Sequence, residues 1–148
     1  MADAFYNIAR KALFEGTLDL DNDTLMVMLI DTATYTFDAG DDYVDDGTAN
    51  DPASAELTGG GYARQTLAGK TVTEPDSTKA RFDATTDTTF ASLGPCTPGT
   101  ADAAILFKDS GSDGENMLIA YFDTEFPIVT NGSDVVIEWN ASGLFELS

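Results

Sequence analysis

The sequence predicts a mainly β protein: an antiparallel β-sandwich or barrel-like domain with one short N-terminal α-helix and long acidic loops. Three observations carry this reading. After Gly16 the apolar runs are short and rich in Thr and Val, with Gly, Asp, Asn and Ser between them. Residues 79–83 and 135–139 alternate apolar and polar side chains with the period of a half-buried strand. Helical spacing is confined to residues 3–14. The length, 148 residues, suits a single domain, 1–148, with a sizeable core.

The elements follow in order. Phe5, Ile8, Ala9, Ala12 and Leu13 recur at the spacing of one apolar helical stripe. Asp3 suits the N-cap, Arg10 and Lys11 a C-terminal turn, and Gly16 the stop. Residues 1–15 are then either a helix packed on the edge of their own sheet or an arm that docks on a neighbouring subunit. Strands are expected near 25–31, 62–67, 70–74, 79–84, 103–109, 117–123, 134–139 and 143–147. Ala80 and Phe82 share a face, as do Val135, Ile137 and Trp139. Residues 110–116 read as a hairpin loop of more than minimal length, and 94–99 as a Pro/Gly turn region. No repeat or linker divides the chain.

Residues 25–30, 103–107 and 117–122 do not alternate and are apolar on both faces. An antiparallel strand reads this way only when something covers its second side. The N-terminal helix, a long loop or another chain would serve. One short helix shields about two strands, so part of this surface is a candidate intermolecular interface. The residues singled out for it are Phe5, Ile8, Leu13, Phe14, Met26, Met28, Leu106, Leu118 and Tyr121.

Charge narrows the function. There are 26 Asp and Glu against 7 Lys and Arg, no His, and a net charge of −19. A phosphate-backbone binder needs clustered cations, so nucleic acid is not an expected partner. Without His the commonest general base and metal ligand are missing, and no Ser-His-Asp arrangement can form. The single Cys96 rules out an internal disulfide framework and reads as a small filler between prolines. No catalytic residue is therefore assigned, and an enzyme is not expected. No long apolar run precedes a cleavage site, and the longest uncharged apolar stretch, 25–30, is too short to span a bilayer, so neither a leader nor a membrane is expected.

Several acidic groups invite comparison with cation sites. Asp19, Asp21 and Asp23 resemble the opening of an EF-hand, but Thr24 and Ile30 occupy the positions that need Gly and Glu. They read instead as alternating carboxylates on an exposed strand. The 109–115 loop and the Asp41–Asp46 cluster offer oxygen ligands for weak Ca²⁺ or Mg²⁺ binding, against the simpler reading of solvated turns. No cofactor or metal residue is assigned. The insertion 38–61 holds seven carboxylates, from Asp38 to Glu56, and no base occurs between Lys11 and Arg64. Like charges repel, so this loop is expected to extend into solvent unless cations or a basic partner collapse it. Trp139 and Tyr121 lie in apolar strand patterns and read as core more readily than as binding aromatics.

The chain also carries a recognisable series of segments. Ala-Arg-Lys-Ala-Leu-Phe-Glu-Gly is followed by Leu-Asp-Leu-Asp-Asn-Asp-Thr and then Leu-Met-Val-Met-Leu-Ile-Asp-Thr-Ala-Thr-Tyr-Thr. Leu-Ala-Gly-Lys-Thr-Val-Thr comes after a variable loop, and Ala-Ile-Leu-Phe-Lys-Asp-Ser-Gly, Leu-Ile-Ala-Tyr-Phe-Asp-Thr and Val-Val-Ile-Glu-Trp-Asn-Ala-Ser-Gly-Leu-Phe-Glu-Leu stand late. Over nearly its whole length this resembles a group of small virion structural proteins of tailed bacteriophages. The resemblance implies a capsid decoration (cement) protein, made in the host bacterial cytoplasm and added to the outer capsid surface. Its implied partners are the major capsid protein and copies of itself, a trimer being the expected oligomer. A tail component (tube, terminator or adhesin module) is the alternative. An acidic DNA mimic is a third reading, supported by charge alone. Nothing is carried over onto residues 38–61.

Overall fold

The computed structural model describes residues 4–148. In chain order the elements are β1 (Ala4–Phe5), α1 (Asn7–Glu15), β2 (Leu25–Ile30), α2 (Pro52–Ala55), β3 (Gln65–Thr66), β4 (Lys70–Asp76) and β5 (Lys79–Ala84). There follow β6 (Thr88–Phe90), β7 (Thr100–Ala101), β8 (Ala103–Lys108), β9 (Met117–Phe122), β10 (Ile128–Val129), β11 (Val135–Ile137) and β12 (Phe145–Leu147). The protein is mainly β, and every strand pairing is antiparallel.

The runs that are apolar on both faces form the middle of one sheet, ordered β1-β9-β8-β2-β3. Alternation divides their side chains between two cores. Leu25, Val27 and Leu29 of β2 face one side with Ala104 and Leu106 of β8. Met28 and Ile30 face the other with Ala103, Ile105 and Phe107. On β9 the alternation breaks at a bulge, where Leu106 pairs with Ala120 but Phe107 pairs with Leu118. The extra residue, Ile119, therefore shares a face with Ala120.

The first face is covered by Ala9 and Ala12 of α1, Phe82 and Ala84 of β5, Phe90 of β6, and Val135 and Ile137 of β11. The strand residues belong to the small ribbons β12-β5-β4 and β11-β6, in which β5, β6 and β11 each send one or two side chains into this core. Over the second face lies the segment 31–57, which brings Tyr35, Val44 and Ala55 onto the sheet. It pairs with the outer edge of β9, where Leu118 N–H donates to Asp42 O at 3.0 Å and Val44 N–H to Asn116 O at 3.0 Å. It then returns to β2, where Leu57 N–H donates to Leu29 O at 3.1 Å. The acidic insertion is thus a strap stitched to both borders of the sheet, not a loop extended into solvent.

That strap answers the question of what covers the second sides. Met28, Leu106 and Leu118 are wholly buried and Tyr121 is 6% exposed, all within one chain. They are core residues, and their assignment to an intermolecular surface is corrected. Phe5, Ile8, Leu13 and Met26 are half-buried, and only Phe14, at 94% exposure, stands free.

The N-terminal segment also differs from expectation. Ala4 and Phe5 pair with Tyr121 and Ala120 as a strand, and α1 begins after an extended Tyr6 with no side-chain cap. Asp3, expected as the cap, lies outside the described residues. Lys11 and Arg10 are mid-helix, because the helix runs on to Glu15 and stops at Gly16, whose φ of 69° few other residues adopt. Residues 19–23 form a turn and not a strand: the Asp19 carboxylate accepts the backbone N–H groups of Asp21 and Asn22, each at 3.1 Å. The strand expected over 62–67 shrinks to β3, since the Tyr62 hydroxyl, rather than a backbone carbonyl, accepts the Leu29 N–H at 3.0 Å.

Within the Gly59-Gly60-Gly61 run, Gly60 has φ 60° and packs against the 94–95 backbone, so that a Cβ there would lie 2.7 Å from Gly94 Cα. Replacing Gly60 with Ala is expected to cost at least about 2 kcal/mol in urea unfolding, from backbone strain plus overlap with main chain that cannot move aside. Deleting residues 1–15 strips a strand from β9 and uncovers the core around Ala9, so a loss of the cooperative thermal transition is expected by circular dichroism. A deletion variant that melts like the full chain would show that the segment is a dispensable arm.

Candidate functional site: an apolar groove and a pinned acidic strap

Two features of the surface bear on function, and they differ in charge. The strap concentrates carboxylates, yet most are committed. Asp51 is buried, with its carboxylate accepting the backbone N–H groups of Asp46 at 3.1 Å and Thr48 at 2.8 Å and the Thr48 hydroxyl at 2.8 Å. Burial alone would raise the Asp51 carboxyl, but these donors outweigh it and hold it below the usual carboxylate range. Asp46 accepts the N–H of Asp42 at 3.2 Å, and Asp45 that of Gly47 at 2.9 Å.

Asp41 is also committed, but its carboxyl moves in the opposite direction. The Tyr6 hydroxyl donates to that of Tyr35 at 2.8 Å, and the Tyr35 hydroxyl donates to Asp41 at 2.9 Å. Burial pushes the Asp41 carboxyl up despite that donor, and the neighbouring Asp38, Asp46 and Asp51 add to the rise.

One cation pins the strap. Arg64 reaches Glu56 through Nε at 2.8 Å and Nη2 at 2.7 Å, and Asp113 of the β8–β9 hairpin through Nη1 at 2.6 Å. Its guanidinium lies 5.1 Å from the centroid of the Phe107 ring, over the second core. The planar fork matches a carboxylate on each side, a geometry a lysine does not offer. Hydrogen bonds from Arg64 are the main cause that holds the Asp113 carboxyl below its usual range. The collapse that like charge opposes is therefore achieved internally, by backbone amides and this arginine.

The second feature is a groove of about 760 Å³ between α1 with residues 16–20 on one side and the β12-β5-β4 ribbon on the other. Cross-strand register aligns Val72, Phe82 and Phe145 on one face of the ribbon, and Ala80 with Leu147. The inner half of that face belongs to the core, with Phe145 stacked on Phe82 at 5.4 Å. The outer half overhangs it. Of the five large apolar side chains exposed among the described residues, three line this groove: Phe14, Leu147 at 67% and Val72 at 54%. At its rim Glu146 pairs with Arg81 at 2.6 Å and with Lys79 at 2.9 Å. Hydrogen bonds from those two cations hold the Glu146 carboxyl below the usual range.

Of the residues proposed from the sequence, the structure brings Phe5, Leu13 and Phe14 to this groove, buries Met28, Leu106, Leu118 and Tyr121 in the core, and packs the half-buried Ile8 and Met26 against the second core. Sequence reasoning missed Val72 and Leu147. The signal was present in the alternation of 143–147, but an alternating strand does not say which end of its apolar face overhangs the core. Trp139 packs edge-on against Phe122 at 5.3 Å and donates from Nε1 to the Thr88 hydroxyl at 3.1 Å. Cys96 is buried. Among the described residues no three metal-ligating side chains converge, and no helix is long and apolar enough to cross a membrane. Comparison with protein-family models, with curated proteins and with solved structures returned no match.

Arg64→Ala is expected to cost about 2–3 kcal/mol in urea unfolding at neutral pH, because Glu56 and Asp113 are left half-buried without their cation. The pH dependence follows from the lowered Asp113 carboxyl. Its contribution is present above the ordinary carboxylate range and lost as pH falls through and below that range. Asp41, raised, has the opposite sign and does not involve Arg64. The gap between wild type and the variant should therefore narrow steadily from pH 7 to about pH 3. A gap independent of pH would mean that Arg64 acts by packing on Phe107 alone. Asp51→Ala should leave three donors unmet and make the strap more open to limited proteolysis, with a loss of about 1–3 kcal/mol.

Proposed function

We propose that this chain is a structural component of a tailed-bacteriophage virion: a capsid decoration (cement) protein that binds the outside of the head and stabilises it by non-covalent contacts. The observation that carries the reading is the groove, where three of the five large apolar side chains exposed among the described residues converge. A monomer that wraps both faces of its main sheet has no folding reason to leave Phe14 almost fully exposed beside Val72 and Leu147. The resemblance of the sequence segments to small phage virion proteins supports the same role. The net charge of −19 favours a position away from packaged DNA, on the outer surface.

The mechanism is adhesive. Seating an apolar surface on the coat lattice removes about 25 cal/mol of unfavourable hydration per Å², repeated at every occupied lattice site. The acidic faces steer the chain toward a basic patch on the major capsid protein, and that steering weakens with salt. The strand faces lend no support to the role, since the chain covers them itself.

Purified virions separated into heads and tails, with the protein quantified in each by mass spectrometry, test the proposal. Many copies per head are expected, with added density on the outer shell by electron microscopy. Recovery with tails alone would move the protein to the alternative, tail-associated role. Absence from both fractions, with tight salt-sensitive binding to a basic DNA-binding enzyme, would replace the proposal with the DNA-mimic reading.

A further inference from the structure

We infer that the groove is filled by a second copy of this chain, in a two-fold dimer where Phe14 of each protomer enters the groove of its partner. The inference rests on the reading of the groove as an assembly surface and names its occupant; with a second copy seated there, contact with the coat falls to the faces outside the groove.

Charge distinguishes the occupants. The charged side chains lining the groove are Arg10, Asp19, Arg81 and Glu146, and those ion-paired to them are Lys79 and, through it, Asp76. Three cations face three carboxylates, so the patch is neutral. Among the described residues the other four cations and 22 carboxylates lie outside this patch, and together they carry a charge of −18. A basic partner is drawn to those other faces. Two copies of this chain repel each other through those faces, whereas contact through the neutral groove adds no repulsion of its own.

Shape makes the same choice. Phe14 stands at the rim with 94% of its surface exposed, next to the hollow floored by Phe82 and Phe145. A knob beside a hole of matching chemistry is a patch that complements itself under a two-fold axis. Arg10, one turn before Phe14 on the same side of α1, has only the Asn7 side chain as a partner, at 3.2 Å. Among the described residues no carboxylate reaches it, which leaves it a donor for a carboxylate of the facing copy.

Such a dimer has an electrostatic signature. Its repulsion arises outside the interface, so screening strengthens it, whereas docking on the acidic faces weakens in salt. Sedimentation velocity of the purified chain at about 0.02 M and 0.5 M NaCl should show a dimer whose share rises with salt. Phe14→Glu should weaken dimerisation at least ten-fold without changing the thermal melt, because the side chain makes no core contact. Val136→Glu, an exposed position outside the groove, should leave the dimer unchanged.

A chain that stays monomeric at both salt concentrations, or a dimer that Phe14→Glu leaves intact, overturns the inference. So does a ring of three, even one that depends on Phe14. If the wild type is monomeric but Phe14→Glu no longer binds virions, the second copy is wrong and the docking surface stands. If Phe14→Glu dimerises poorly yet binds virions normally, the dimer stands and the virion contact lies elsewhere.

Discussion

The structure is organised by one requirement: a sheet that is apolar on both faces must be covered twice. β2, β8 and β9 send alternate side chains into two separate cores, and neither can be left to water, because full burial of each Leu, Ile or Phe is worth about 1.5–3 kcal/mol. One cover comes from a helix and short ribbons in the usual way for β proteins. The other is a strap with little regular structure, whose composition argues against compaction until its hydrogen bonds are traced.

Those hydrogen bonds change the meaning of the acidic composition. In the strap, Asp serves as a turn-forming acceptor for N–H groups that have no ladder partner, as Asp51 does for Asp46 and Thr48. Each such contact converts a source of repulsion into a fixed hydrogen bond. Arg64 supplies the one full positive charge, placed between Glu56 at the end of the strap and Asp113 on the hairpin. The price is one raised carboxyl, Asp41, held beside Tyr35 at the edge of the second core.

Much of the fold was legible in the residues. The antiparallel mainly β class, the three two-faced runs, the hairpin at 110–116 and the stop at Gly16 all follow from period, turn chemistry and composition. What was not legible depends on contacts distant in sequence. The strap hides its apolar anchors, Tyr35, Val44 and Ala55, at irregular spacing among carboxylates, so no period announces that they share a surface. Arg64 gives no local sign that its partners lie 8 and 49 positions away. Phe5 continues the helical spacing of Ile8, Ala9, Ala12 and Leu13, so β1 is invisible to periodicity, and its strand conformation is imposed by the edge of β9. The groove fell between these cases: Phe5, Leu13 and Phe14 were visible, but Val72 and Leu147 were not, because the overhang that exposes them is set by how β12 and β4 sit on β5.

The stitching of the strap has a consequence for behaviour at high concentration. An open sheet border is a template on which other chains can add strands and polymerise. Here the outer side of β9 is occupied by β1 and by residues 42–44, and that of β2 by β3 and residues 55–57. The long border left open, β4, is interrupted by Pro75 between Glu74 and Asp76 and by a register shift after Thr73. In a crowded array of these molecules the blocked margins of the main sheet and the interrupted β4 disfavour fibril growth.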